Sequence, residues 1–128
     1  MADWIALGYP EIDQEHRALS RIIRELEATV AQGEEPGVMA ALEQLASYSD
    51  IHFRSEERAM KAAGFPDIDE HARQHRGFSA QITLFQYQLF RHHAAGELLD
   101  YVRSWFQTHT TGSDERFADF IRAQRERR

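Results

Sequence analysis

Two histidines stand four residues apart in the stretch His71-Ala72-Arg73-Gln74-His75. On a helix such a pair shares one face, about 6 Å apart along the axis, so both imidazoles can reach one metal ion. The pair alone is a weak signal, because seven histidines in 128 residues produce about 0.4 such pairs by chance. Its weight comes from what faces it: His16, His52 with Glu56, and His109 with Asp114. The chain has no cysteine, so a transition metal must be held by imidazole nitrogen and carboxylate oxygen, donors that suit iron, zinc or manganese better than Cu(I).

The elements that must position these residues follow from hydrophobic spacing. Residues 1–12 place Trp4, Ile5, Leu7, Tyr9 and Ile12 around Gly8 and Pro10, which reads as an irregular N-terminal arm packing across the rest of the chain. Asp13 is a cap for a first helix, in which His16, Leu19, Ile23, Leu26 or Glu27, and Val30 recur at three- and four-residue steps up to Gly33. Pro36 suits the first turn of a second helix, whose stripe is Val38, Leu42, Leu45, Ser49, His52, Glu56 and Met60, ending at Gly64. After Phe65-Pro66-Asp67, a third stripe holds Ile68, His71, His75, Phe78, Ile82, Phe85 and Leu89, up to His92 and His93. A fourth runs through Leu98, Val102, Trp105, Phe106 and His109 and resumes at Phe117, Phe120 and Ile121. Four long helices with short connections predict an all-α, up-down-up-down antiparallel four-helix bundle, with residues 1–128 forming a single domain. No stretch alternates as a strand would.

Composition narrows the function classes. Fifteen basic against 21 acidic residues leave a net charge of −6, which disfavours nucleic acid or an anionic membrane as partner. The basic last turn, Arg122, Arg125, Arg127 and Arg128, suits a helix C-terminus and is the one place where a protein partner could dock by charge. With no apolar run near 18 residues and no leader pattern, the expectation is a cytoplasmic protein with no membrane insertion.

The four stripes are chemically unusual. The centre of a small bundle is normally apolar, yet each helix here places histidine or carboxylate there. An ionised carboxylate buried without a partner costs several kcal/mol, which a domain with about 5 to 15 kcal/mol of net stability can hardly absorb twice. A metal centre compensates all seven residues at once. Two ions fit better than one, because seven protein ligands exceed a tetrahedral site and two carboxylates can bridge. The spacing from His109 to Asp114 adds a structural requirement. Five residues on a regular helix turn the side chains about 140° apart, so they converge only through a π-bulge or local unwinding, which Gly112 would tolerate.

These residues, in this order, make the chain resemble the hemerythrins, specifically a stand-alone bacterial hemerythrin. The match comprises Ile12-Asp13-Gln14-Glu15-His16, His52-Phe53-Arg54-Ser55-Glu56-Glu57, Phe65-Pro66 ahead of His71 and His75, and Trp105 with His109, Gly112, Asp114 and Phe117. The resemblance implies a non-haem centre of two iron ions (Fe2+/Fe3+) with a bridging oxo or hydroxo group and O2 as a reversible ligand. By the same resemblance His71, His75 and His109 fill one iron, His16 and His52 hold the second and leave it an open position, and Glu56 and Asp114 bridge the two. Phe53 and Trp105 become walls of the O2 pocket. Thr110 stands where the family usually has an apolar residue; either its hydroxyl, with any water it recruits, shortens the life of bound oxygen by supplying a proton, or the local distortion turns it away from the pocket.

The ligand types favour binding over catalysis. Oxygen-activating di-iron bundles use more carboxylates and Glu-x-x-His pairs, a spacing this chain lacks. Five imidazoles with two carboxylates leave less negative charge on the irons, which stabilises Fe(II). The expectation is therefore an oxygen-binding protein for storage, delivery or buffering rather than an enzyme. The alternatives are an oxygen or redox sensor module, or a di-iron enzyme acting on peroxide or nitric oxide.

Overall fold

The computed structural model describes residues 10–33, 35–92 and 95–126. Helices α1 (Pro10–Gln32), α2 (Glu35–Ala63), α3 (Ile68–His92) and α4 (Ala95–His109) are followed by a π-helical turn (Thr110–Asp114) and α5 (Glu115–Glu126). Helix α1 packs on α2 and α2 on α3, and α4 closes the bundle against both α1 and α3. With connections this short, sequence neighbours run antiparallel. Among the described residues there is no strand, and no helix is long and apolar enough to cross a membrane.

The start of α1 differs from the expectation. The helix begins at Pro10 rather than at a cap on Asp13, because proline's fixed φ and missing N–H suit a first helical turn. Residues 10–12, assigned to the arm on sequence, are therefore helical, and Ile12 is buried. The rest of the arm, residues 1–9, lies outside the described residues, as do His93, Arg127 and Arg128 and the side chains of Leu89 and His92. Arg122 is paired with Asp119 in the preceding turn.

Each helix passes from apolar to polar to apolar along its inner face. At one end Leu19, Ile23, Leu42, Leu45, Phe78, Ile82, Leu98, Val102 and Phe106 form the larger core. At the other, Ile12, Met60, Phe65, Phe117, Ala118 and Ile121 form a smaller one. The histidines and carboxylates occupy the layer between them. Both cores exclude water from that layer, so its charges interact through a medium of low polarity.

Two local devices set the register of this layer. Helix α2 stops at Gly64, whose φ of 72° is left-handed; Gly64 N–H donates to Lys61 and Phe65 N–H to the Met60 carbonyl at 3.0 Å. This is a Schellman cap, and Phe65 packs in the same core as Met60. The second device is the π turn expected between His109 and Asp114. An i→i+5 turn returns residues five apart to one face, and it brings Asp114 Oδ1 to 3.1 Å from His109 Nε2. The change of hydrogen-bond step disturbs the carbonyls of the last α turn. Thr110 and Thr111 donate their hydroxyls to the carbonyls of Phe106 and Gln107, each at 2.7 Å.

Gly112 is not what permits the turn. A Cβ on Gly112 would meet nothing within 4 Å, and its φ is not left-handed, unlike that of Gly64. Gly112→Ala is expected to stabilise the metal-free protein by about 0.5 to 1 kcal/mol through reduced chain entropy, whereas Gly64→Ala should destabilise it by about 1 to 2 kcal/mol. Urea unfolding midpoints of the two variants check this, and a destabilising Gly112→Ala would show that the π turn needs glycine.

Candidate metal centre

The structure brings all seven metal-site residues expected from sequence into the layer between the two cores. His16, His52, Glu56, His71, His75, His109 and Asp114 are each no more than 3% exposed. Six of them fall into two groups that share a carboxylate: Glu56 with His71, His75 and His109, and Glu56 with His16 and His52, the donor atoms of each group lying within 4.8 Å of one another.

Glu56 divides its oxygens between the groups. Oε1 lies 2.5 Å from His71 Nε2 and 3.2 Å from His75 Nε2, while Oε2 lies 3.3 Å from His52 Nε2 and 3.5 Å from His16 Nε2. Asp114 does the same. Its Oδ1 lies 3.0 Å from His71 Nε2 and 3.1 Å from His109 Nε2, and its Oδ2 lies 3.9 Å from His16 Nε2. His75 Nε2 and His109 Nε2 stand 3.2 Å apart.

These separations match donors arranged around ions. Ligands about 2.1 Å from an ion stand roughly 3.0 Å apart when adjacent and roughly 4.2 Å apart when opposite. Directions agree with distances: Glu56 Oε2 and both oxygens of Asp114 are buried and accept no well-aligned hydrogen bond, although imidazole nitrogens lie 3.0 to 3.9 Å away. The donor set of nitrogen and oxygen with no sulfur suits a borderline divalent ion such as iron.

Protein charges alone already hold the layer in an ionic state. Burial by itself would raise Glu56, but the imidazoles around it keep its carboxyl well below the usual range. Asp114 is lowered too: burial and the Glu56 charge push it up, and His109 and His71 outweigh them. Burial opposes a proton on His52, yet the hydrogen bond with Glu15 and the adjacent Glu56 carboxylate raise it to about 10. His109 is raised to about 9, with Asp114 and Glu56 outweighing burial, and His71 is raised by the same two carboxylates.

An outer set of acceptors orients the imidazoles. His52 Nδ1–H donates to Glu15 at 3.0 Å, His75 Nδ1–H to Glu57 at 2.8 Å and His109 Nδ1–H to the Gln74 side-chain oxygen at 2.9 Å. With Nδ1–H committed to these acceptors, Nε2 is the nitrogen each ring turns inward, and it offers a lone pair there once its own proton is lost. Ser55 Oγ donates to the other oxygen of Glu15 at 2.9 Å, and Ser113 Oγ donates to Gln74 at 2.6 Å. Sequence reasoning did not assign these acceptors. The available signal was position: Glu15, Glu57 and Gln74 each adjoin an inward residue, turned about 100° from it toward the neighbouring helix.

The three residues expected to line an O2 pocket all lie beside the three-histidine group. Phe53 stacks on His75, with ring centres 4.0 Å apart and planes within 6°, and Trp105 stacks on His109 at 4.4 Å. Both therefore cover rings of the three-histidine group. Thr110 is buried beside His109, but its hydroxyl proton goes to the Phe106 carbonyl rather than into the layer.

Comparison with known proteins gives a consistent answer. Residues 7–121 match the family model of the hemerythrin HHE cation binding domain. The chain is 28% identical over 125 residues to a bacteriohemerythrin of Stenotrophomonas maltophilia, covering 94% of this chain and 80% of that protein. It is 25% identical over 109 residues to a myohemerythrin of Theromyzon tessulatum, covering 85% and 82%. The crystal structure of a wild-type hemerythrin superposes with a TM-score of 0.81 at 22% identity, covering 94% of this chain and 98% of that one. A match spanning almost the whole chain, on a bundle whose inner layer holds the histidines and carboxylates such a domain requires, places this protein in the hemerythrin family.

Proposed function

We propose that this chain binds O2 reversibly at a di-iron centre and serves oxygen storage, delivery or local buffering. The observation that carries the reading is the way Glu56 and Asp114 each offer one oxygen to a three-histidine group and the other to a histidine pair. His71, His75 and His109, with Glu56 Oε1 and Asp114 Oδ1, would hold one iron; His16 and His52, with Glu56 Oε2 and Asp114 Oδ2, would hold the other. The first group supplies one more protein donor than the second, so a metal held by the histidine pair would be the one with room for a further ligand. Two irons held by these residues would supply the redox chemistry for reversible O2 binding.

The chain's own residues favour return of O2 intact. The cores on both sides of the layer exclude water, and Phe53 and Trp105 cover two imidazoles of the three-histidine group. The Thr110 hydroxyl is committed to a backbone carbonyl, so it is not positioned to hand a proton to bound oxygen, and the short-lived adduct expected from its type loses its structural support. The cation-binding family and relatives named bacteriohemerythrin and myohemerythrin support the oxygen-carrier reading over an unrelated use of the same ligands.

Metal analysis with absorption spectra taken anaerobically and after adding O2 tests the reading. Two irons per chain and a spectrum that follows O2 pressure in both directions are expected; iron that cycles irreversibly would overturn it. His75→Ala should abolish assembly of the pair, and a variant retaining two irons would contradict the assigned ligands. Loading must also displace protons, because His52 and His109, raised to about 10 and about 9, are protonated at neutral pH in the metal-free chain while a ligating Nε2 needs its lone pair. Anaerobic Fe2+ titration near pH 7 is expected to release roughly one proton for each of these histidines, and apparent affinity should rise with pH until about 10. Affinity independent of pH would rule this out.

A further inference from the structure

The outer acceptors form a directional series. Helix α1 supplies Glu15 to His52 of α2, α2 supplies Glu57 to His75 of α3, and α3 supplies Gln74 to His109 at the end of α4. They differ in charge and in exposure. Gln74 is neutral; the Glu57 side chain is 35% exposed, so water screens its charge, whereas that of Glu15 is 11% exposed. Of the two charged acceptors Glu15 is the one held by a serine: Ser55 Oγ donates to its second oxygen and Arg58 donates to Ser55 Oγ at 3.2 Å, as Ser113 and Arg116 do at the neutral Gln74. The strongest outer charge therefore acts on the group with fewer histidines.

We infer that Glu15 is a positioning residue that acts through His52, fixing its Nδ1–H tautomer and strengthening Nε2 as a donor, so that it raises the divalent-metal affinity of the histidine pair and lowers the potential of an iron bound there. The inference rests on the di-iron reading for its redox half and on geometry alone for its metal-affinity half. A carboxylate accepting the Nδ1–H of a ligating imidazole gives that imidazole partial anionic character, which a neutral amide does not. Glu15 thereby offsets part of the donor deficit of the two-histidine group.

The test uses the full chain, first with Co2+, which reports binding at each group without any dependence on O2. Glu15→Gln keeps the shape and one oxygen to accept from His52, turns its NH2 toward Ser55, and removes the charge. It is expected to weaken one of the two cobalt-binding events by roughly tenfold while leaving the other unchanged, and to raise the midpoint potential of the iron-loaded protein. Glu57→Gln should shift both readouts less, and Ser55→Ala, which frees Glu15 without removing its charge, should shift them in the same direction by a smaller amount. Cobalt binding and potential in Glu15→Gln equal to those of the unaltered chain would overturn the proposal, as would equal weakening of both events, which marks a purely structural role. Selective loss of one cobalt event, in a chain whose iron form never binds O2 reversibly, would uphold the role of Glu15 and refute the oxygen-carrier reading.

Discussion

Two acids in the middle of a small bundle, Glu56 and Asp114, set the terms for the rest of the structure. Both are essentially fully buried, and each would cost several kcal/mol if left ionised and unpaired. No single helix can neutralise them. Helix α2 brings His52 one turn before Glu56, while the other imidazoles come from α1, α3 and α4. The layer therefore forms only when all four helices are docked in register, which ties the site to the topology. The apolar residues before and after it on each helix, such as Leu19 and Ile12 around His16 or Phe106 and Phe117 around His109 and Asp114, then serve a second purpose. They supply the burial that drives docking and the dry surroundings in which imidazoles and carboxylates interact strongly.

The π turn shows how closely backbone geometry answers this demand. Asp114 lies five residues after His109 and must reach the same point, which an α-helix forbids and an i→i+5 turn allows. The disturbed end of α4 is supported by hydroxyls already in the sequence, Thr110 to Phe106 and Thr111 to Gln107. A run of β-branched threonines is a poor choice for the middle of a regular helix. At a helix defect their ability to bond back into the preceding turn becomes useful. Thr110 is thus explained by the backbone beside it, and its polarity says less about the ligand than residue type alone suggests.

What was legible in the sequence and what was not divides along the same physical line. His16, His52, Glu56, His71, His75 and His109 fall on apolar stripes, so helical period alone brought them inward, and the spacing to Asp114 announced its own distortion. The bundle followed from stripe lengths and short connections. The outer acceptors were invisible for the opposite reason. Glu15, Glu57 and Gln74 sit one step off the stripe, where a polar residue looks like ordinary helix surface; only the crossing of neighbouring helices turns them toward an imidazole. The first turn of α1 reads as part of the arm in the sequence because Pro10 beside Gly8 resembles a breaker, although proline is well suited to the start of a helix. Gly112 looked like the enabling residue of the π turn, yet open space surrounds it.

The direction of the acceptor series has a consequence for assembly. Because each of Glu15, Glu57 and Gln74 secures a histidine on the following helix, docking of α1 on α2 orients His52, docking of α2 on α3 orients His75, and closure of α4 on α3 orients His109. Every docking step therefore aligns one imidazole, and the two carboxylates gain partners one at a time as the bundle closes. The cost of burying charge is spread over the same contacts that bury the apolar cores, so no intermediate packing has to hold both acids bare. Protein groups balance the charge of the layer, with Glu56 and Asp114 lowered among raised histidines, but leave Glu56 Oε2 and both oxygens of Asp114 without a hydrogen bond. Metal entry then becomes an exchange of imidazole protons for cations within a framework that is already folded.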